Sequence, residues 1–199
     1  MKPQTRWIVA LLGALLLATS GLGAISVRPI NLEETVRLSG RAFFGRCVEV
    51  RDLPREEGGL AVRLYRFLVL EPILNTSAGE IVEFRQVRGG KVAGGIFGMP
   101  EYRKGQELLL FLYAESRVGM TSPVGVAQGM FRPVRQADGA TAFVNGVGNR
   151  NLALNLEAEA VGLAGDEAQA LREARPLRLE ELRSMVERIR SRQTGVEMR

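Results

Sequence analysis

Apolar and polar residues alternate with a period of two over much of the first two thirds of the chain, the pattern of strands with one face turned inward. In residues 41–52, Ala42, Phe44, Val48 and Val50 fall on one face, interrupted by Arg46, while Phe43 and Cys47 fall on the other. Residues 60–70 read as a long second strand. There Val62, Leu64, Leu68 and Leu70 alternate with Arg63, Tyr65, Phe67 and Val69, until Pro72 ends or bends it. Residues 80–88 predict a third, half-buried strand, with Val82 and Phe84 on its apolar side. The alternation then stops: residues 108–112 are Leu-Leu-Leu-Phe-Leu, the run expected of a strand covered on both faces, and it is taken as the central one. Residues 124–134 and 142–144 supply further strands joined through Asp138-Gly139, a hairpin signal, and Gln128-Gly129 marks a bulge or tight bend.

Helical signals flank this β region. Asn31-Leu32-Glu33-Glu34 places a capping residue, a capping-box acid and two first-turn acids ahead of a two-turn helix that Ser39-Gly40 ends. Residues 145–151 read as a polar, glycine-containing linker. Residues 152–174 are rich in Ala, Leu and Glu but interrupted at Gly162 and Gly165. Beyond Pro176, residues 179–192 carry an apolar stripe of Leu182, Met185, Val186 and Ile189 against an Arg/Glu face. That stripe is expected to dock on the chain's own sheet, the alternative being a membrane surface or a partner. The expected fold is mainly β: a small OB-like antiparallel barrel of five or six strands with a short N-terminal helix and C-terminal helices. Residues 25–150 would form the barrel and residues 151–199 the C-terminal helical segment.

The first 24 residues follow a different logic. Lys2 and Arg6 precede an apolar stretch over residues 7–17, and Ala18-Thr19-Ser20 offers the small residues a signal peptidase requires. A cleaved signal peptide over residues 1–24 is expected, which makes the protein exported: periplasmic, cell-surface or secreted. A membrane is expected as a partner only if this segment stays attached.

Charge changes the picture less than its total suggests. Of the formal +5, two charges belong to Lys2 and Arg6, and residues 171–199 hold eight Arg against five Glu; residues 25–170 carry 17 basic and 17 acidic side chains. A nucleic-acid partner is therefore not expected, because phosphate binding needs a basic excess on the folded body. At 46% apolar residues the chain has the means to bury a core. It has no histidine, which removes His-based zinc sites, Ser-His-Asp and Cys-His nucleophiles, and the commonest general base near neutrality. Its single cysteine, Cys47, rules out an internal disulfide and reads as a small buried hydrophobe in a strand. No metal and no cofactor is implied.

Residues 89–98 carry five glycines in ten positions. A phosphate cradle would need a Gly-Lys-Ser/Thr ending or Gly-x-Gly-x-x-Gly spacing before a helix, and neither is present. Gly89, Gly90, Gly94 and Gly95, with Phe97 and Tyr102, are instead the candidate binding surface, together with Tyr113; the alternative is that these aromatic residues complete the core. Glu101 and Glu107 flank the Pro100-Glu101-Tyr102 turn and Glu83 lies on a strand, so acid–base chemistry by paired carboxylates is a second reading. The leading expectation is a non-catalytic exported binding or accessory domain of the cell envelope, with an unidentified protein or saccharide partner. The alternatives are a carboxylate-dependent enzyme acting on an envelope substrate and an oligosaccharide-binding barrel.

Three stretches carry a resemblance: Asn31-Leu32-Glu33-Glu34 with its following strand, residues 99–112 after the glycine loop, and Gly125-Val126-Ala127-Gln128-Gly129-Met130-Phe131. With a Leu-Glu-Glu-Leu helix near the C-terminus, they make the chain similar to an uncharacterised family of bacterial exported proteins with an OB-like barrel. More remotely, the layout resembles the netrin/tissue-inhibitor-of-metalloproteinase domain. That resemblance implies a barrel but no inhibitory activity, since the N-terminal cysteine and the disulfides on which those inhibitors rely are missing here.

Overall fold

The computed structural model describes residues 28–55, 59–90, 95–157 and 162–197; the signal peptide read over residues 1–24 lies outside them. Asn31 caps α1 (Leu32–Leu38), its Oδ1 accepting from the Glu34 amide at 2.9 Å. Leu32, Thr35 and Val36 are buried, so this short helix is a plug in the core rather than a lid over it. The chain passes straight into β1 (Ser39–Asp52), which pairs with β2 (Val62–Leu74) on one side and β4 (Glu107–Tyr113) on the other. Beyond β2 lies β3 (Ile81–Val87), and beyond β4 come β5 (Met130–Arg135), β6 (Thr141–Asn145) and β7 (Leu177–Arg178). Every ladder is antiparallel, and the seven strands form one sheet in the order β3-β2-β1-β4-β5-β6-β7.

The fold is mainly β, as expected, but the sheet is not closed into a barrel, and it has seven strands rather than five or six. Two features keep it open. The β4–β5 ladder joins only Leu109 to Phe131 and Leu110 to Met130, a short seam at which the sheet is weakly continuous. That hairpin is then extended by β7, from a stretch read as purely helical. The edge near β3 is crossed by a loop. Met120 bridges Arg85, the Thr121 amide donates to the Arg85 carbonyl at 2.9 Å, and Pro123 bridges Leu112.

Both faces of the sheet are covered. On one, Phe43, Cys47, Tyr65, Phe67, Val69, Val82, Phe84, Tyr102, Leu108, Leu110 and Leu112 make an aromatic-rich cluster. On the other, Ala42, Leu109, Phe111, Phe131 and Phe143 meet α1, residues 152–156 and 163–171, and the helix α3 (Leu179–Glu197). The alternation along β4 sends Leu108, Leu110 and Leu112 into the first cluster and Leu109 and Phe111 into the second, which is why its sequence shows no polar position. Leu182, Met185, Val186 and Ile189 of α3 are all buried in the second cluster, so the apolar stripe docks on the chain's own sheet. A short helix α2 (Gly165–Arg172) adds Ala170 and Leu171 to it.

One face assignment changes. β1 has a register shift between Cys47 and Glu49, and the extra residue turns Val50 to the Phe43 and Cys47 side. In β2 the inward set is Tyr65, Phe67 and Val69, with Leu68 and Leu70 only half-buried.

Candidate functional site

The glycine loop and its aromatic neighbours do not assemble into one surface. Gly89 is buried in an isolated bridge with Ile96, and a β-carbon there would lie 2.1 Å from the Met99 carbonyl oxygen, so glycine serves close packing. Gly90 turns the chain at φ +82° with open space around it. Gly95 is half-buried, and Gly94 lies outside the described residues. Phe97 is 52% exposed, whereas Tyr102 is 2% exposed and meets Tyr65 and Phe67 edge-on at 4.7 and 5.4 Å. Its hydroxyl donates to Gln86 Oε1 at 3.2 Å, and burial pushes its pKa well above the ordinary phenol value. Tyr102 completes the core, and the aromatic pair expected at the surface is parted. Tyr113 is half-buried, with its hydroxyl accepting from the Gly125 amide at 3.3 Å.

The carboxylates named from the sequence fall into separate ion-pair groups. Glu101 joins Asp52, Arg63 and Arg88 in an alternating ring of charge, with Arg63–Asp52 at 2.6 Å and the remaining pairs at 3.4 to 3.6 Å. The hydrogen bond from Arg63 holds the Asp52 carboxyl below its usual range. The Tyr65 hydroxyl is buried near Arg63, and its pKa is raised chiefly by that burial, with Arg63 opposing. Glu107 accepts from Arg46 at 2.7 Å, and Glu83 lies 3.6 Å from Arg66. Glu107 and Glu71 border one groove of about 800 Å³ with Phe44, Arg135 and Arg178, but Glu71 is held by Arg183 at 3.1 Å. Cys47 is fully buried, and burial pushes its thiol up to about 11.

The most apolar pocket lies elsewhere. It holds about 500 Å³ and is lined among the described residues by Pro29, Gly98, Gly125, Val126, Ala127, Gln128, Val147, Arg150, Asn151 and Leu154. Its wall is a single 3-10 turn, Val126–Gly129, entered through two residues with φ of 58°, Gly125 and Val126. Such an angle is costly for a β-branched residue and persists only where the surroundings enforce it. They do so here by crowding: a β-carbon on Gly125 would lie 2.6 Å from Ile30 Cδ1, and one on Gly146 would lie 2.6 Å from Ala127 Cβ.

Four buried amide side chains, of which Gln128 and Asn151 line the pocket, form a connected network. Gln128 Oε1 accepts from the Ile30 amide at 2.8 Å, and its Nε2 donates to the Arg28 carbonyl at 3.0 Å. Asn151 donates to the Ile30 carbonyl and accepts from Asn145 Nδ2 at 2.8 Å. Asn145 also donates to the Gln128 carbonyl, while its Oδ1 accepts from the amides of Val147 and Asn149 at 3.1 and 2.7 Å. Asn149, itself at φ 61°, donates to the carbonyls of Phe143 and Arg175. The network ties together the start of the described chain, the 3-10 turn, the end of β6 and the approach to β7. Sequence reasoning passed it over as a linker, because Asn and Gly are also the composition of ordinary turns. The available signal was the recurrence of Asn at 145, 149 and 151, each placed to bond backbone groups nearby.

Comparison with family models, with curated proteins and with solved structures returns no match for this chain. No helix of the described residues is long and apolar enough to cross a membrane.

Proposed function

We propose that the protein is an exported, non-catalytic binding domain of the bacterial envelope whose ligand site is the pocket walled by the 126–129 turn. The observation that carries this reading is the combination of a concave, largely apolar cavity with walls tied together by buried amides. Its volume of about 500 Å³ lies in the range of small-molecule sites, and such sites are mostly pre-formed. A left-handed Val126 and four hydrogen-bonded, buried amides hold the wall of this one in place. Export rests on Lys2, Arg6 and the apolar stretch that follows them. The kinship with bacterial exported proteins, carried by residues 31–34, 99–112 and 125–131 and by the Leu-Glu-Glu-Leu start of the C-terminal helix, is part of the same proposal, as is the more remote netrin-like layout.

The test uses Leu154, which lines the pocket yet is 45% exposed, so that Leu154→Asp spoils an apolar site at little cost to folding. Immobilised wild-type and variant protein are incubated with solubilised envelope from the native host, and retained molecules are identified by mass spectrometry. A molecule held by the wild type and released by a variant of equal melting temperature supports the reading. Equal retention, or none, overturns it.

A further inference from the structure

The chemistry of the pocket points to its ligand, an inference that rests on the reading just given. Pro29, Val126, Ala127, Val147 and Leu154 supply apolar surface, and the two amides at the floor are already committed: Gln128 to the backbone of Arg28 and Ile30, Asn151 to Ile30 and Asn145. A peptide entering here would bring backbone amides to a wall with few groups left to pair them, and each buried unpaired amide weakens binding. An acyl chain brings none. The cavity therefore favours hydrocarbon over polypeptide.

The rim adds a charge. Arg150 lines the same pocket, and no acidic residue does among those described. Its Nε donates to the carbonyl of Val147, another lining residue, at 3.0 Å, which anchors the guanidinium beside the pocket. It forms no salt bridge among the described residues, whereas Arg28, the cation near the chain start, is engaged by Glu34 at 2.7 Å. A guanidinium fixed through Nε still presents its two terminal nitrogens as a fork, the geometry that matches a carboxylate. We propose that the pocket binds a medium-chain fatty-acid-type amphiphile, its hydrocarbon against Val126, Val147 and Leu154 and its carboxylate on Arg150.

Protein purified from the native host is titrated by calorimetry with decanoate, decanol and decyltrimethylammonium below their micelle concentrations. The same titrations follow for Arg150→Gln and Leu154→Asp. Decanoate is expected to bind more tightly than decanol, and the cation most weakly. Because Arg150 is exposed, Arg150→Gln should weaken decanoate about three- to ten-fold and leave decanol unchanged. Leu154→Asp should abolish both. Equal affinity for decanoate and decanol overturns the inference, as does an unchanged decanoate affinity in Arg150→Gln. Tighter binding of an apolar tetrapeptide with a free carboxylate also overturns it. If no amphiphile binds, the inference falls. The binding-domain reading is judged separately, by what Leu154→Asp releases from the envelope.

Discussion

Replacing Asn145 with alanine tests whether the amide network holds the pocket wall. The side chain is fully buried and takes part in four hydrogen bonds: two donated by Nδ2, to the Gln128 carbonyl and Asn151 Oδ1, and two accepted by Oδ1, from the amides of Val147 and Asn149. Asn145→Ala leaves all four partners behind. A buried group stripped of its partner costs about 1–3 kcal/mol, and a water entering the small cavity recovers part of this. Counting Gln128 and Asn149 as the two least able to find a substitute gives a loss of about 2–6 kcal/mol, a large share of the 5–15 kcal/mol of a typical domain. For a domain of this size that corresponds to a melting temperature lower by about 4–24 °C. Asn145→Asp sharpens the test, since it keeps the shape and the acceptor but turns a carboxylate oxygen toward two acceptors. Its folded-state pKa would be raised, so the deficit should shrink as pH falls and the protonated acid again supplies a donor. The control is Gln169→Ala, which removes one exposed hydrogen bond to Glu173 and should cost less than about 0.5 kcal/mol. Thermal melts and urea titrations of the three variants decide the matter. An Asn145→Ala shift no larger than that of Gln169→Ala would refute the network's structural role.

Three further outcomes are expected. Leu109→Asp and Leu110→Asp should both be severe, because each side chain is fully buried on opposite faces of β4, while Ile81→Asp at the exposed edge should be nearly silent; a mild result for either leucine in a urea titration would contradict the two-sided core. Cys47 should react with a thiol reagent only after denaturation, since its thiol is buried and raised to about 11; rapid labelling of the native protein would contradict its place in the core. Glu181 is held below its usual pKa first by the hydrogen bond from Arg175, with burial opposing and the Arg178 amide assisting. Its contribution to stability is therefore present above the unfolded value near about pH 4.3 and is lost as pH falls through the lower folded value, so Glu181→Gln should flatten the acid limb of a stability–pH curve. Parallel curves for the two proteins would remove that linkage.

The elements that were legible in the sequence are those whose pattern depends on burial alone. The unbroken run in β4 is read correctly because a strand covered on both faces has no polar position to show, and the stripe of α3 because its four apolar residues share one helical face. What depends on spacing between strands was not legible. The bulge after Cys47 turns Val50 over, and no residue type in Cys47-Val48-Glu49 announces it. In β2 both alternating sets are apolar enough to face inward, and the choice of Tyr65, Phe67 and Val69 is made by Phe84 and Tyr102 across the cluster. Barrel closure failed as an expectation for a similar reason. It depends on how far β4 and β5 run side by side, and two paired residues are too few to bend the hairpin round. The pocket was missed because its walls come from residues 29, 98, 125–128 and 147–154, which are distant in sequence and are brought together by buried side-chain amides and by long-range backbone bonds such as that from the Gly146 amide to the Ala127 carbonyl.

The two clusters on either side of the sheet draw on very different spans of chain, and this orders their assembly. The aromatic cluster is built from residues between Phe43 and Leu112, with Met130 at its margin, so it can close while the last third of the chain is still absent. The opposite cluster runs from Ile30 to Ile189 and needs α3 before it is complete. Contacts of that sequence separation form late, because the entropy of closing so long a loop must be met first. In the interval Leu109, Phe111 and Phe131 stand uncovered on a half-built sheet, the condition under which chains associate wrongly. The C-terminal helix thus acts toward its own sheet as a late-arriving shield, and a chain cut short before Leu182 would be left with a finished half and an adhesive one.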